Sequence, residues 1–132
     1  MSRSQIVDNL YVSGFPEQAD TADVDLVVNL AGGPIFPRVW LEYVIWPIED
    51  SATLPNPDQL RSIARHVADL VQQGRKVLIH CGAGINRANL VAARAMLFLD
   101  MPLGSVINLL RERRDPNALS NAAFVDWLRG EG

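Results

Sequence analysis

Cysteine is nearly absent from this chain: 132 residues hold one thiol, Cys81. A single cysteine excludes an intramolecular disulfide and cannot by itself form a cysteine metal site. Histidine is scarce too, with only His66 and His80. No run approaches the roughly 18 apolar residues of a membrane-spanning helix, so no membrane association is expected. The opening Met1-Ser2-Arg3-Ser4-Gln5 lacks the apolar core of a signal peptide. The formal net charge is only −3, which argues against a general nucleic-acid or anionic-membrane binder. Repeats, linkers and low-complexity stretches are missing. Residues 1–132 are therefore expected to form one domain with a real core. A free thiol survives best in a reducing interior, so a cytoplasmic location is expected.

What is present is an alternation of strand and helix patterns. Residues 6–13 read as one or two short edge strands, closing at Gly14. Phe15 begins a loop or short helical turn. Residues 24–31 (VDLVVNLA) are almost continuously β-branched and apolar, the pattern of a strand buried on both faces of a parallel sheet. Residues 39–48 give a further strand, with Pro47 near its end, where a lost donor matters least. Asn56-Pro57-Asp58 is a helix start, with a capping Asn, Pro in the first turn and an acid behind it. Leu60, Ile63, Ala64, Val67, Leu70 and Val71 follow at helical spacing, and Gly74 ends the helix. Residues 77–80 are the next strand. Helices are expected over 89–99, 103–114 and 121–129. This order predicts an α/β fold with a small, mainly parallel sheet.

The strand at 77–80 runs into His80-Cys81-Gly82-Ala83-Gly84-Ile85-Asn86-Arg87. A strand, a tight loop and a helix N-terminus thus surround the one thiol. Such a loop can hold a tetrahedral oxyanion through inward N–H groups, the helix dipole and a two-pronged arginine. The glycines let the backbone approach the ligand. Electropositive surroundings of this kind favour a thiolate nucleophile. A lone cysteine is most often a buried structural thiol, but the loop reverses that reading. A cation opening a helix opposes the dipole unless an anion sits beside it.

The H-C-x-x-G-x-x-R pattern at 80–87 resembles the signature loop of the cysteine-dependent protein tyrosine phosphatases, H-C-x-x-G-x-x-R-[S/T]. Asn9-Leu10-Tyr11-Val12-Ser13-Gly14, the strand at 25–30, Pro47-Ile48-Glu49-Asp50 and Asn121-x-x-Phe124 resemble the small dual-specificity branch. The resemblance implies a sheet of four to five strands flanked by helices. It implies a phosphatase acting on phosphate monoesters (phosphotyrosine, phosphoserine/threonine or both) through a phospho-cysteine intermediate. The partner would be a phosphorylated protein or other phosphate ester, with no cofactor and no metal. Cys81 would be the nucleophile. Arg87 and the backbone of Gly82, Ala83, Gly84, Ile85 and Asn86 would bind phosphate. Asp50 would be the general acid, with Glu49 next in line, and His80 and Asn121 would support the site. Ala88 departs from the family, which has Ser or Thr there to help the cysteine leave. A slow second step is expected, unless Asn86, Asn89 or Asn121 compensates.

Other readings stay open. One is a phosphate- or phosphoprotein-binding module with weak turnover. Another is sulfur transfer or arsenate reduction, although this chain has no resolving thiol. Asn86 before Arg87 suggests an RNA 5′-triphosphatase. A phosphoinositide phosphatase often carries loop lysines where this chain has Gly82 and Ile85. His66 reads as a solvated residue. Trp40, Tyr43 and Trp46 read as core and rim packing, with Trp46 a candidate for the pocket entrance.

Overall fold

The apolar run at 24–31 supplies an inner strand of a sheet, as its lack of polar alternation requires. A computed structural model describes residues 3–132. Its strands are β1 (Arg3–Val7), β2 (Leu10–Ser13), β3 (Leu26–Asn29), β4 (Glu42–Ile45) and β5 (Val77–His80). They form one sheet in the order β1-β2-β5-β3-β4. β1 pairs antiparallel with β2, and the other pairings are parallel. β2, β3 and β5 are buried at every residue. β4 is shorter than the expected 39–48 and lies at the sheet edge.

The helices are α1 (Pro57–Gln72), α2 (Arg87–Phe98), α3 (Leu103–Arg113) and α4 (Ala122–Glu131). Asn56 caps α1 as expected, accepting from the Asp58 and Gln59 amides at 3.0 and 3.1 Å. α2 begins at Arg87, two residues earlier than its apolar pattern indicated. It is buried nearly all round, which suits a central helix. The expected α/β class holds, with the helices gathered on one side. One core joins the apolar sides of all four helices to Leu10, Val12, Leu26, Val28, Val77, Ile79 and Cys81. The opposite sheet face carries a small cluster of Tyr11, Val24, Val27 and Leu78, packed against Leu41 and Tyr43. The chain leading into β3 and β4 contributes to that thin cover. Trp46 packs against the main core, whereas Trp40 stands 55% exposed. Among the described residues, no helix is long and apolar enough to cross a membrane.

Three side-chain contacts tie distant elements together. His66 of α1 is not merely solvated: its Nε2 lies 2.8 Å from the Glu42 carboxylate on β4. Glu131, near the end of α4, accepts from Arg61 of α1 at 2.6 Å and from Arg94 of α2 at 2.9 Å. The Arg61 hydrogen bond is the main reason the Glu131 carboxyl falls from 4.5 to about 2, against the opposing effect of burial. A lowered carboxylate pKa stabilises the fold above the unfolded-state value and loses that contribution as pH falls through the folded one. Glu131→Gln should therefore lower the neutral-pH Tm by roughly 3 °C. The gap from the natural protein should close as pH falls from about 4.5 towards 2. A gap constant across that window in thermal melts would refute the assignment.

Candidate active site

The parallel strands end at one edge, and the loop at 81–87 leaves from β5 in their midst. Cys81 is 2% exposed. Side chains alternate along a strand, so Cys81 faces the helices and His80 faces the thin side. Two backbone donors converge on the thiol. The Gly84 amide lies 3.2 Å from Sγ and the Ala88 amide 3.4 Å.

The loop carbonyls are engaged by donors from the surrounding scaffold. Gly82 O accepts from the Phe15 amide at 3.3 Å. Ala83 O accepts from Arg114 Nη2 at 3.1 Å, and Gly84 O from Arg114 Nε at 3.2 Å. Asn89 Nδ2 donates to Gly84 O and to Ile85 O, both at 2.8 Å. The Leu119 amide adds a second bond to Ile85 O at 2.9 Å. Holding these carbonyls fixes the orientation of the peptide planes around the thiol. Gly84 has φ +70°, and a Cβ there would lie 2.6 Å from the Ser13 carbonyl carbon. No other residue fits that position without moving β2. The loop backbone is therefore held by the scaffold in one shape around the thiol.

Arg87 opens α2 and reaches back over the loop. Its Nη1 donates to Ile48 O at 3.0 Å, and its Nη2 lies 3.0 Å from where a Gly82 Cβ would stand. The guanidinium thus joins the loop to the segment before Asp50. Asp50 is held from two sides. Asn86 Nδ2 donates to Oδ2 at 3.0 Å, and Asn121 Nδ2 donates to Oδ1 at 2.8 Å. Asn121 also donates to Ser51 O at 2.8 Å, while its own Oδ1 caps α4 through the Ala123 and Phe124 amides. Asn86 Oδ1 accepts from the Asn121 amide at 2.8 Å. Glu49 instead lines a neighbouring hollow of about 220 Å³ with Pro47, Ile48, Ser51, Thr53, Leu54 and Pro55.

His80 is 1% exposed, and its Nδ1 has no hydrogen-bond partner among the described residues. Burial pushes its imidazole below the ordinary value, partly opposed by the adjacent Cys81 backbone. The ring thus lies buried at the end of β5, immediately before the thiol.

The fold therefore gathers Cys81, Arg87, Asp50, Asn86, His80 and Asn121 at one edge of the sheet. Asn89 braces loop carbonyls, so its amide nitrogen is not directed at the thiol. Asn86 and Asn121 are occupied with Asp50. Three contributors escaped the sequence reading. Arg114 acts on the loop from thirty residues away, the Asn86–Asp50 bond spans thirty-six, and Phe15 comes to the loop from the end of β2. No local pattern marks such pairings. A basic residue ending a helix, as at Arg114, is ordinary for any helix.

Comparison with known proteins matches residues 10–131 to the model of the dual specificity phosphatase catalytic domain. The 123R protein of Invertebrate iridescent virus 6, whose name places it among tyrosine phosphatases, is 29% identical over 140 residues, covering 97% of this chain and 95% of that one. The tyrosine-protein phosphatase yvh1 of Schizosaccharomyces pombe is 30% identical over 133 residues. That match covers 96% of this chain but 40% of yvh1. The crystal structure of Tk-PTP in the active form superposes with a TM-score of 0.79 at 28% identity, covering 98% of this chain and 95% of that one.

Proposed function

The chain belongs to the dual-specificity phosphatase catalytic-domain family of protein phosphatases, and from that premise we propose that it hydrolyses phosphate monoesters on phosphorylated proteins, with Cys81 as the nucleophile. The observation that carries this reading is the loop itself: amides on the thiol, carbonyls tied to the scaffold, and Arg87 over Gly82.

The Cys81 thiolate attacks phosphorus in line with the ester oxygen. The S–P bond forms as the P–O bond breaks, and the Asp50 carboxyl gives its proton to the departing oxygen. Arg87 and the amides at 82–87 stabilise the charge on the phosphoryl oxygens. Water then attacks phospho-Cys81, Asp50 takes its proton, and the thiolate leaves with inorganic phosphate released. This scheme requires no metal, since the loop provides the positive field.

Asp50 is preferred over Glu49 because Asn86 and Asn121 tie it to the loop and to α4. Asp50→Asn should slow esters with poor leaving groups about a hundredfold, and activated aryl phosphates far less. Steady-state rates on the two substrate types decide this. An equal loss on both would make Asp50 structural and move the acid role to Glu49. Asn86, whose place before Arg87 raised an RNA 5′-triphosphatase, is engaged by Asp50, Ser120 and Asn121. That engagement gives Asn86 a role in positioning Asp50 that needs no RNA substrate.

Ala88 is fully buried beside the thiol, its amide on Sγ. A side-chain hydroxyl is missing where the thiolate must depart. Hydrolysis of phospho-Cys81 should then be the slow step, with a burst of leaving group close to one per protein before steady turnover. Ala88→Ser should raise the steady rate on the order of tenfold, about 1.4 kcal/mol, which one hydrogen bond supplies. No burst and no gain would mean that the first step limits. No turnover on any ester, with anion binding intact, would support a phosphate-binding module instead.

A further inference from the structure

The site has an unexpected neighbour at its rim. Phe15 follows Gly14 at the end of β2, and its amide holds Gly82 O. Its ring carbons come within 3.0 Å of where a Cβ on Gly33 would stand, and within 3.9 Å of the same position on Gly82. Arg87 Nη2 is 3.0 Å from that Gly82 position. The ring and the guanidinium therefore flank one glycine, on the loop that would hold phosphate. The ring centroid is 6.2 Å from the His80 ring beneath. Gly33, at φ +86°, leaves the other side of the ring its space.

Phe15 is nevertheless 52% exposed. One exposed apolar side chain is ordinary. This one is seated against two glycines at the mouth of the candidate site. Other large exposed apolar residues, Ile35, Val39, Trp40 and Ile45, lie on β4 or on the chain leading into it. Ile45 shares a register row at the strand ends with Asn29 and with His80, the residue immediately before the Cys81 loop.

A phosphomonoester seated on the loop projects its ester oxygen and carbon skeleton outwards past this rim. An aryl ring attached to that oxygen would extend towards the Phe15 ring, which offers it stacking or edge-to-face contact. The short seryl or threonyl carbon chain has no ring to offer. We propose that Phe15 is a specificity-determining residue, a wall that makes this site prefer aryl esters of the phosphotyrosine type over phosphoserine and phosphothreonine. The proposal rests on the phosphate-binding reading of the Cys81 loop.

The test measures binding, so it does not depend on turnover. In Cys81→Ser protein, affinity is measured for one peptide carrying phosphotyrosine and the same peptide carrying phosphothreonine, with inorganic phosphate as the control. Adding Phe15→Ala should weaken the phosphotyrosine peptide about five- to tenfold. The phosphothreonine peptide and inorganic phosphate should each stay within about twofold. Phe15→Tyr, which keeps the ring, should restore the preference. Equal weakening of both peptides, or an unchanged phosphotyrosine affinity, overturns the proposal. A parallel loss of inorganic phosphate on Phe15→Ala also overturns it, since the ring would then be holding the loop. Failure of Cys81→Ser protein with Phe15 intact to bind phosphate would overturn the loop reading itself, and the proposal with it.

Discussion

Cys81→Ser is expected to lower turnover by roughly four orders of magnitude or more, while inorganic phosphate binds within about threefold of its natural affinity. Serine fills nearly the same volume, and the scaffold bonds to the loop carbonyls involve no atom of residue 81. The Gly84 and Ala88 amides that reach Sγ would reach a hydroxyl oxygen instead. That hydroxyl stays protonated near neutral pH, so the nucleophile is lost and the cradle is kept. Retained turnover in this variant, measured with an aryl phosphate, would end the thiol mechanism.

Arg87→Lys is expected to cost on the order of a hundredfold to a thousandfold, close to the loss for Arg87→Ala. The guanidinium does two jobs with two nitrogens. Nη1 donates to Ile48 O, which anchors the segment that carries Asp50, and Nη2 sits over Gly82 at the loop. Lysine keeps the charge, but a single ammonium on a flexible stem cannot hold both positions. A lysine variant with most of its activity, in a kcat/KM comparison against alanine, would remove the clamp role.

Most of the fold is legible in the chain because its elements carry local signatures. β3 lies within the apolar run at 24–31, whose length and valines suit a strand buried on both faces. α1 announces itself by Asn56-Pro57, and α2 by apolar residues on every side. The thiol loop is legible because its glycines, thiol and arginine are contiguous. The start of α2 was misplaced by two residues because Arg87 belongs at once to the loop and to the first helical turn. Trp40 and Trp46 stand close in sequence, yet only Trp46 joins the main core. That separation depends on where β4 begins, which apolar content alone does not reveal. The least legible part is what makes the loop a site. Arg114, the Asn86–Asp50–Asn121 linkage and Phe15 meet the loop only through the tertiary fold. Asn121 is legible as a supporting residue only through the family resemblance, and its double use, capping α4 while donating to Asp50, shows only in the tertiary fold.

The most direct measurement is to mix the protein rapidly with excess aryl phosphate, quench it during the first turnover, and map phosphorylation by mass spectrometry. The expected result is one phosphoryl group on Cys81, approaching one per protein because Ala88 slows its release. It should be absent in Cys81→Ser and shorter-lived in Ala88→Ser. Steady release of leaving group with no phosphoryl group on Cys81, or with the label on another residue, would contradict the account.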